Sequence, residues 1–186
     1  LRSFDMVGEW EMAFRSLQAG QNTGKVVLRI GTVRERLGES SGTHVLSGGT
    51  GGLGLLTARW LAQSGVASLV LVSRSGKFVS GTANELRQLE QTDSQWRVER
   101  CDFAQGADVR SLLLSSECRP KVHRGFWHAA GVLSDALLSR QDSKLLERVY
   151  GPKAHASRLI HAMCLGRDLR VCLLFSSIAA LQGGSG

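Results

Sequence analysis

Ser47-Gly48-Gly49-Thr50-Gly51-Gly52-Leu53-Gly54 follows a short apolar, β-prone run at 44–46 and opens a segment of helical period at 52–63. Five of the seven residues from 48 to 54 are glycine. Glycines permit a tight turn and let backbone approach a pyrophosphate, whose charge a following helix N-terminus stabilises. The spacing Gly49-x-Gly51-x-x-Gly54 meets the dinucleotide fingerprint, and a second register, Gly48-x-x-x-Gly52-x-Gly54, overlaps it. A glycine-rich hairpin is the plain alternative; the strand–turn–helix setting weighs against it.

Working downstream, apolar β-branched runs recur at 69–72, 96–98, 125–127 and 169–175. Helix-period segments separate them at 83–91, 107–115 and 144–163. Short apolar runs alternating with helices mean βαβ units around a parallel sheet, with right-handed crossovers placing helices on both faces. The expectation is a Rossmann-type, doubly wound α/β fold. Upstream, GTVRERLGESSG at 31–42 is polar, charged and rich in Gly and Ser, which reads as a linker. Ahead of it lie one predicted helix, 9–17, and one predicted strand, 25–30. Thirty such residues cannot bury a core, so they read as the tail of a preceding domain or an arm on the following one. The expected division is therefore 1–30, a linker at 31–41, and a nucleotide-binding domain at 42–186.

The 186 residues carry 23 Lys+Arg against 16 Asp+Glu, a formal charge of +7. The basic residues are scattered from Arg2 to Arg170 without a block or aromatic interleaving, so nucleic acid is not expected as a partner. An attraction for anionic cofactors or acidic partners fits better. A hydrophobic content of 42% with 21% charge argues against a disordered chain or a coiled coil. The longest apolar run, near 171–175, is far short of the roughly 18 residues of a membrane span. No charged-then-apolar leader opens the chain, and Cys101, Cys118, Cys164 and Cys172 form no CxxC pair or metal spacing. A cytoplasmic protein with reduced, mostly buried thiols and no metal is expected. Leu1 and the Gly/Ser-rich end suggest a piece of a longer polypeptide.

The ends of the predicted strands carry the remaining chemistry. About 20 residues past the glycines, where an NAD site places a carboxylate for the ribose 2′-hydroxyl, stand Ser73 and Arg74. A guanidinium pairs with a 2′-phosphate that a carboxylate would repel, which points to NADP(H). Asp102, between Cys101 and Phe103, either accepts from an adenine amino group or caps the next helix. Small residues Ala129, Ala130 and Gly131 let the chain pass close to a cofactor. His128 before them reads as a structural histidine, since one His makes no site by itself.

SGGTGGLG, LVLVSRSG, CDF, HAAGVLSD, YGPKA and LLFSSIAALQGGSG, in this order, resemble the ketoreductase domain of a modular or iterative polyketide synthase. The animal fatty-acid synthase ketoreductase is the near cousin; both are short-chain dehydrogenases, whose glycine pattern is the second register above. The resemblance runs from about Gly42 to Gly186. AFRSLQAGQNTGKVVL, at 13–28, resembles the last helix and strand of the enoyl reductase domain that precedes such ketoreductases. The resemblance implies a catalytic Ser, Tyr, Lys and Asn. By motif the Ser is Ser177, the second in Phe175-Ser176-Ser177-Ile178. The Lys is Lys153 of Gly151-Pro152-Lys153-Ala154, implied to hold the nicotinamide ribose. Pro152 would break the helical pattern there and free a carbonyl.

The Tyr-x-x-x-Asn stretch of the family has no match; the single tyrosine, Tyr150, precedes the Pro-Lys motif. The chain by itself is therefore expected to be inactive. In its parent the resemblance implies NADPH-dependent reduction of a β-ketoacyl thioester, carried by the phosphopantetheine of an acyl carrier protein, to the β-hydroxyacyl thioester. Neighbouring synthase domains are the other implied partners. A non-catalytic ketoreductase-like module and a short-chain reductase acting on a free small molecule are the alternatives. Leu133-Ser134-Asp135 departs from the family's Leu-Asp-Asp marker at its middle position, so product configuration is not readable.

Overall fold

In the computed structural model of the chain, which describes residues 2–6, 8–20, 26–29, 42–114, 123–165 and 169–177, two compact units separate at Leu37/Gly38. The first holds one element more than its pattern predicts. Strand β1 (Arg2–Asp5), helix α1 (Trp10–Gln18) and strand β2 (Val26–Arg29) form a βαβ unit, with Arg2 to Asp5 paired in parallel to Val26 to Arg29. Arg-Ser-Phe-Asp has one apolar residue in four and no alternation, so β1 has no signal in the sequence. Within α1 only Ala13 is buried, while Trp10, Phe14 and Leu17 stay about half exposed. The whole of the expected linker, 31–41, lies outside the described residues.

The second unit is the doubly wound sheet. Strands β3 (Thr43–Ser47), β4 (Ser68–Ser73), β5 (Gln95–Arg100), β6 (His123–His128) and β7 (Val171–Leu174) lie in the order β5-β4-β3-β6-β7, all neighbours parallel. Helix α2 (Gly52–Gln63) joins β3 to β4, α3 (Ala83–Glu90) joins β4 to β5, and α4 (Gly106–Leu114) leads towards β6. The long helical pattern before β7 is broken: α5 (Ser143–Tyr150) and α6 (Ala156–Cys164) flank a π-helical turn at Gly151–His155. Asp142 starts α5 by accepting from the Leu145 amide at 2.8 Å. Pro152 has no N–H to give, and the wider π turn is the local solution.

Successive strand residues point to opposite faces. Val45, Val70, Val72 and Phe126 pack with Val109, Leu112, Ala156 and Ile160. The alternate residues Leu46, Leu69 and Leu71 are fully buried, as are Leu55, Ala58 and Leu61 of α2. The central strands are buried on both faces, which is why they read as unbroken apolar runs. The thiols depart from expectation. Of the described cysteines only Cys101 is buried; Cys164 is half-buried and Cys172 lies exposed on β7, and Cys118 is outside the described residues. Among the described residues no helix is long and apolar enough to cross a membrane, and no His/Cys/Asp/Glu group could hold a metal.

Candidate cofactor and catalytic site

Parallel strands end at one edge of the sheet, so Ser47, Ser73, Arg100 and His128 meet there as the last residues of four neighbours. That edge, where the strand order reverses, is where doubly wound folds bind ligands. It holds a cleft of about 530 Å³, walled by the glycine turn, the loop after β4, residues 101–103, residues 129–132 and Pro152.

The glycines divide into two groups. Gly48 has φ +72°, and a Cβ there would sit 2.7 Å from the Ala130 nitrogen. A Cβ on Gly49 would lie 2.8 Å from the Leu46 carbonyl, and one on Gly54 would collide with the Gly48 carbonyl. These three serve the protein's own packing. Gly52 has nothing within 4 Å of a Cβ, and Gly51 only the Gly48 carbonyl at 3.4 Å. The first helical bond of α2 runs from the Leu55 amide to the Gly51 carbonyl at 2.9 Å. The amides of Gly52, Leu53 and Gly54 therefore precede any intrahelical acceptor. An open cradle, unpartnered helix-start amides and a positive dipole end suit a pyrophosphate.

The loop after β4 is built to present cations. The Gly76 amide donates to Ser73 Oγ at 3.1 Å, and the Lys77 amide to Ser75 Oγ at 3.1 Å. Arg100 Nε holds the Arg74 carbonyl at 3.1 Å, and the Val79 amide reaches the Thr50 carbonyl at 3.1 Å. Arg74 and Lys77 both line the cleft. Lys77 was not singled out from sequence; its place three residues after Arg74 in the same tight loop was the available signal. Asp102 lines the cleft beside Phe103. Its Oδ1 accepts from the Ala104 amide at 2.9 Å, and α4 begins only at Gly106, so Asp102 is not that helix's N-cap.

Gly48, Thr50, Gly51, Ser73, Arg74, Asp102, Phe103, Ala129, Ala130 and Gly131 thus share the cleft wall, whereas Gly49, Gly52, Leu53, Gly54, Lys153 and Ser177 do not line it. Lys153 is nonetheless adjacent: a Cβ built on Gly131 would be 3.0 Å from its Cε and 3.9 Å from its Nζ. The Lys153 carbonyl accepts from Ser157 Oγ at 2.5 Å. Ser177 is exposed past the end of β7, where the Phe175 amide still bonds the His128 carbonyl at 3.0 Å. Tyr150 is exposed at the end of α5 and takes no part in the cleft wall.

His128, expected to be a structural histidine, sits at the buried end of β6. It is 2% exposed, and its Nδ1 is hydrogen-bonded to Ser47 Oγ on the neighbouring strand. Burial lowers its pKa and the Lys153 charge adds to that, against the main chain of Pro152 and Lys153, which raises it.

Sheet order, glycine turn and cation loop together define a Rossmann-type dinucleotide-binding domain of the short-chain dehydrogenase kind. The KR domain family model matches residues 42–186, and the chain belongs to that family. It is 37% identical over 188 residues to polyketide synthase GfsB of Streptomyces halstedii, covering 100% of this chain and 3% of that one. It is 34% identical over 186 residues to erythronolide synthase EryA2 of Saccharopolyspora erythraea, covering 97% and 5%. Among solved structures, an A-type ketoreductase from a modular polyketide synthase superposes with TM-score 0.68 at 34% identity, over 78% of this chain and 30% of that one. The chain thus spans a small part of these synthases and about a third of a solved ketoreductase. Ketoreductase domains of this superfamily are oxidoreductases that bind a nicotinamide cofactor.

Proposed function

We propose that residues 42–186 are the NADPH-binding part of a ketoreductase that reduces a carrier-bound β-ketoacyl thioester to the β-hydroxyacyl thioester within a reducing polyketide synthase. Residues 1–30 would be the tail of a preceding enoyl reductase domain and 31–41 the linker. The observation that carries the cofactor reading is the cleft that joins an open glycine cradle to a loop bearing Arg74 and Lys77. Gly51 and Gly52 would admit the pyrophosphate, Arg74 would pair with the 2′-phosphate, and Asp102 and Phe103 would border the adenine. When bound, the reduced dinucleotide supplies hydride.

The chain's own residues account for the rest. Lys153, beside Gly131 at the cleft's far wall, would hold the nicotinamide ribose and lower the pKa of a neighbouring phenol. Ser177 would donate a hydrogen bond to the carbonyl oxygen as charge develops on it. The proton for the alkoxide needs a tyrosine of the family's Tyr-x-x-x-Asn type, which this chain does not contain. A basic surface would suit an acidic carrier protein.

The test is NADPH oxidation by the polypeptide carrying this segment, with a β-ketoacyl pantetheine thioester and Lys153→Ala and Ser177→Ala variants. Turnover that falls by about 10²-fold or more in both variants supports the reading. Undiminished turnover in both overturns the site.

A further inference from the structure

The loop that carries Arg74 and Lys77 is held from outside the cleft as well as from within it. Ser73 and Arg100 close the β4–β5 ladder in register, and the Cys101 amide bonds the Ser73 carbonyl at 3.1 Å. Arg74 is therefore the first residue beyond the ladder, where the sheet no longer fixes the chain. Its carbonyl accepts from Arg100 Nε at 3.1 Å. The Arg100 stem also flanks the turn: a Cβ built on Gly76, whose φ is +67°, would stand 3.6 Å from the Arg100 Cβ. Two further bonds are internal to the loop, from the Gly76 amide to Ser73 Oγ and from the Lys77 amide to Ser75 Oγ. Farther on, Phe78 meets Trp96 of β5 edge-on, and the Val79 amide reaches the Thr50 carbonyl. None of these contacts uses the Arg74 carbonyl, which is left to Arg100. Arg74 and Lys77 line the cleft and Arg100 does not. Among the described residues none of the three cations is in an ion pair.

We infer that Arg100 is a positioning residue for cofactor selectivity: by fixing the Arg74 carbonyl, it holds Arg74 at the cleft where a 2′-phosphate would arrive. The inference rests on the 2′-phosphate role proposed above for Arg74. Three unpaired cations on and beside one short loop repel one another, and an unbraced loop would relax by spreading them. A donor on the Arg74 carbonyl opposes that spreading before any ligand is present, so less of the ordering cost falls on binding. What the inference requires is the donated bond, not the Arg100 charge.

The test compares two uncharged replacements of equal length in the polypeptide carrying this segment. Arg100→Gln places an amide nitrogen as far along the side chain as the Arg Nε and keeps the donor; Arg100→Met keeps neither donor nor charge. Calorimetry would follow the binding of 2′,5′-ADP and 5′-AMP, which share adenine, ribose and 5′-phosphate and differ by the 2′-phosphate alone. Whatever the lost charge costs is common to both variants, so the gap between them reads the bond. Gln is expected to bind 2′,5′-ADP about 3- to 10-fold more tightly than Met, the scale of one hydrogen bond. The two variants should bind 5′-AMP equally, and thermal melting should find both folded, since the Arg100 side chain lies at the surface. Equal binding of 2′,5′-ADP by Gln and Met overturns the inference, because only charge, or nothing, was lost. A Met variant that loses 5′-AMP in the same proportion as 2′,5′-ADP also overturns it, since the bond would then serve the fold and not selectivity. Arg74→Ala separates the two readings. If it keeps the wild-type preference for 2′,5′-ADP over 5′-AMP, the role of Arg74 fails and Arg100 has nothing to position. If it abolishes that preference while Gln and Met stay equal, only the role of Arg100 fails.

Discussion

Glycines 48 and 52 stand four residues apart and answer to different demands. Gly48 needs its positive φ and has no room for a side chain against Ala130, whereas Gly52 opens onto space. Gly48→Ala should therefore destabilise the fold. Gly52→Val should leave the melting temperature nearly unchanged while abolishing NADPH binding, because the branched side chain fills the cradle. Fluorescence titration with thermal melting distinguishes the two; a folded Gly52→Val chain of normal affinity contradicts the pyrophosphate assignment. At Arg74 the prediction is selectivity. Arg74→Ala should weaken NADPH binding by about 1.5–3 kcal/mol, as for a hydrogen bond to a charged group, and leave NADH binding unchanged. Equal losses by calorimetry would remove Arg74 from the 2′-phosphate, leaving Lys77 as the cation in the same loop. The glycine turn and the place of Arg74 at the cleft were legible because both are local to a turn. The partner of His128 was not, since Ser47 lies 81 residues back and only the sheet brings the two together.

At the level of elements, β3 and β6 carry a buried polar pair that the apolar pattern conceals. Trp127 Nε1 donates to His44 Nδ1 at 3.0 Å, and His44 Nε2 is buried without a partner among the described residues. Burial takes the His44 pKa from 6.5 down to about 4. Above pH 6.5 the ring is neutral in folded and unfolded chains alike and contributes no pH dependence. Below it the unfolded chain binds a proton that the folded chain refuses, so stability falls until the pH reaches about 4. The loss over that window is about 3 kcal/mol at 1.36 kcal/mol per unit. Denaturant melts of wild type and His44→Phe between neutral pH and pH 4 measure it. Wild type should lose that stability and the Phe variant lose less; equal slopes contradict a neutral buried His44. The elements of the sheet were otherwise readable, because strands buried on both faces announce themselves as apolar runs. Strand β1 was not, since a four-residue strand with charged ends owes its existence to β2. Pro152 marked a break in the helix, but whether a proline yields a kink, a cap or a π turn depends on what packs around it.

For the whole molecule, the separation of binding from chemistry is the distinctive expectation. The cleft is assembled within unit two by residues from Gly48 to Pro152, whereas the single tyrosine, Tyr150, is exposed and does not line it. The 186-residue chain should therefore bind NADPH without reducing a β-ketoacyl thioester, lacking the positioned acid worth about 10²–10⁴-fold. Binding by calorimetry and turnover by NADPH oxidation on one preparation check this; reduction by this chain alone would mean that some other group supplies the proton. The central claim, hydride transfer to a β-keto carbon, is tested most directly by isotope transfer. The polypeptide carrying this segment would be incubated with NADPH deuterated at the transferable position of the nicotinamide and a β-ketoacyl pantetheine thioester, and the product read by mass spectrometry. The proposed function predicts a β-hydroxyacyl thioester with one deuterium on the β-carbon, lost in Lys153→Ala. Recovery of unreduced thioester, or of a reduced product without the label, would contradict it.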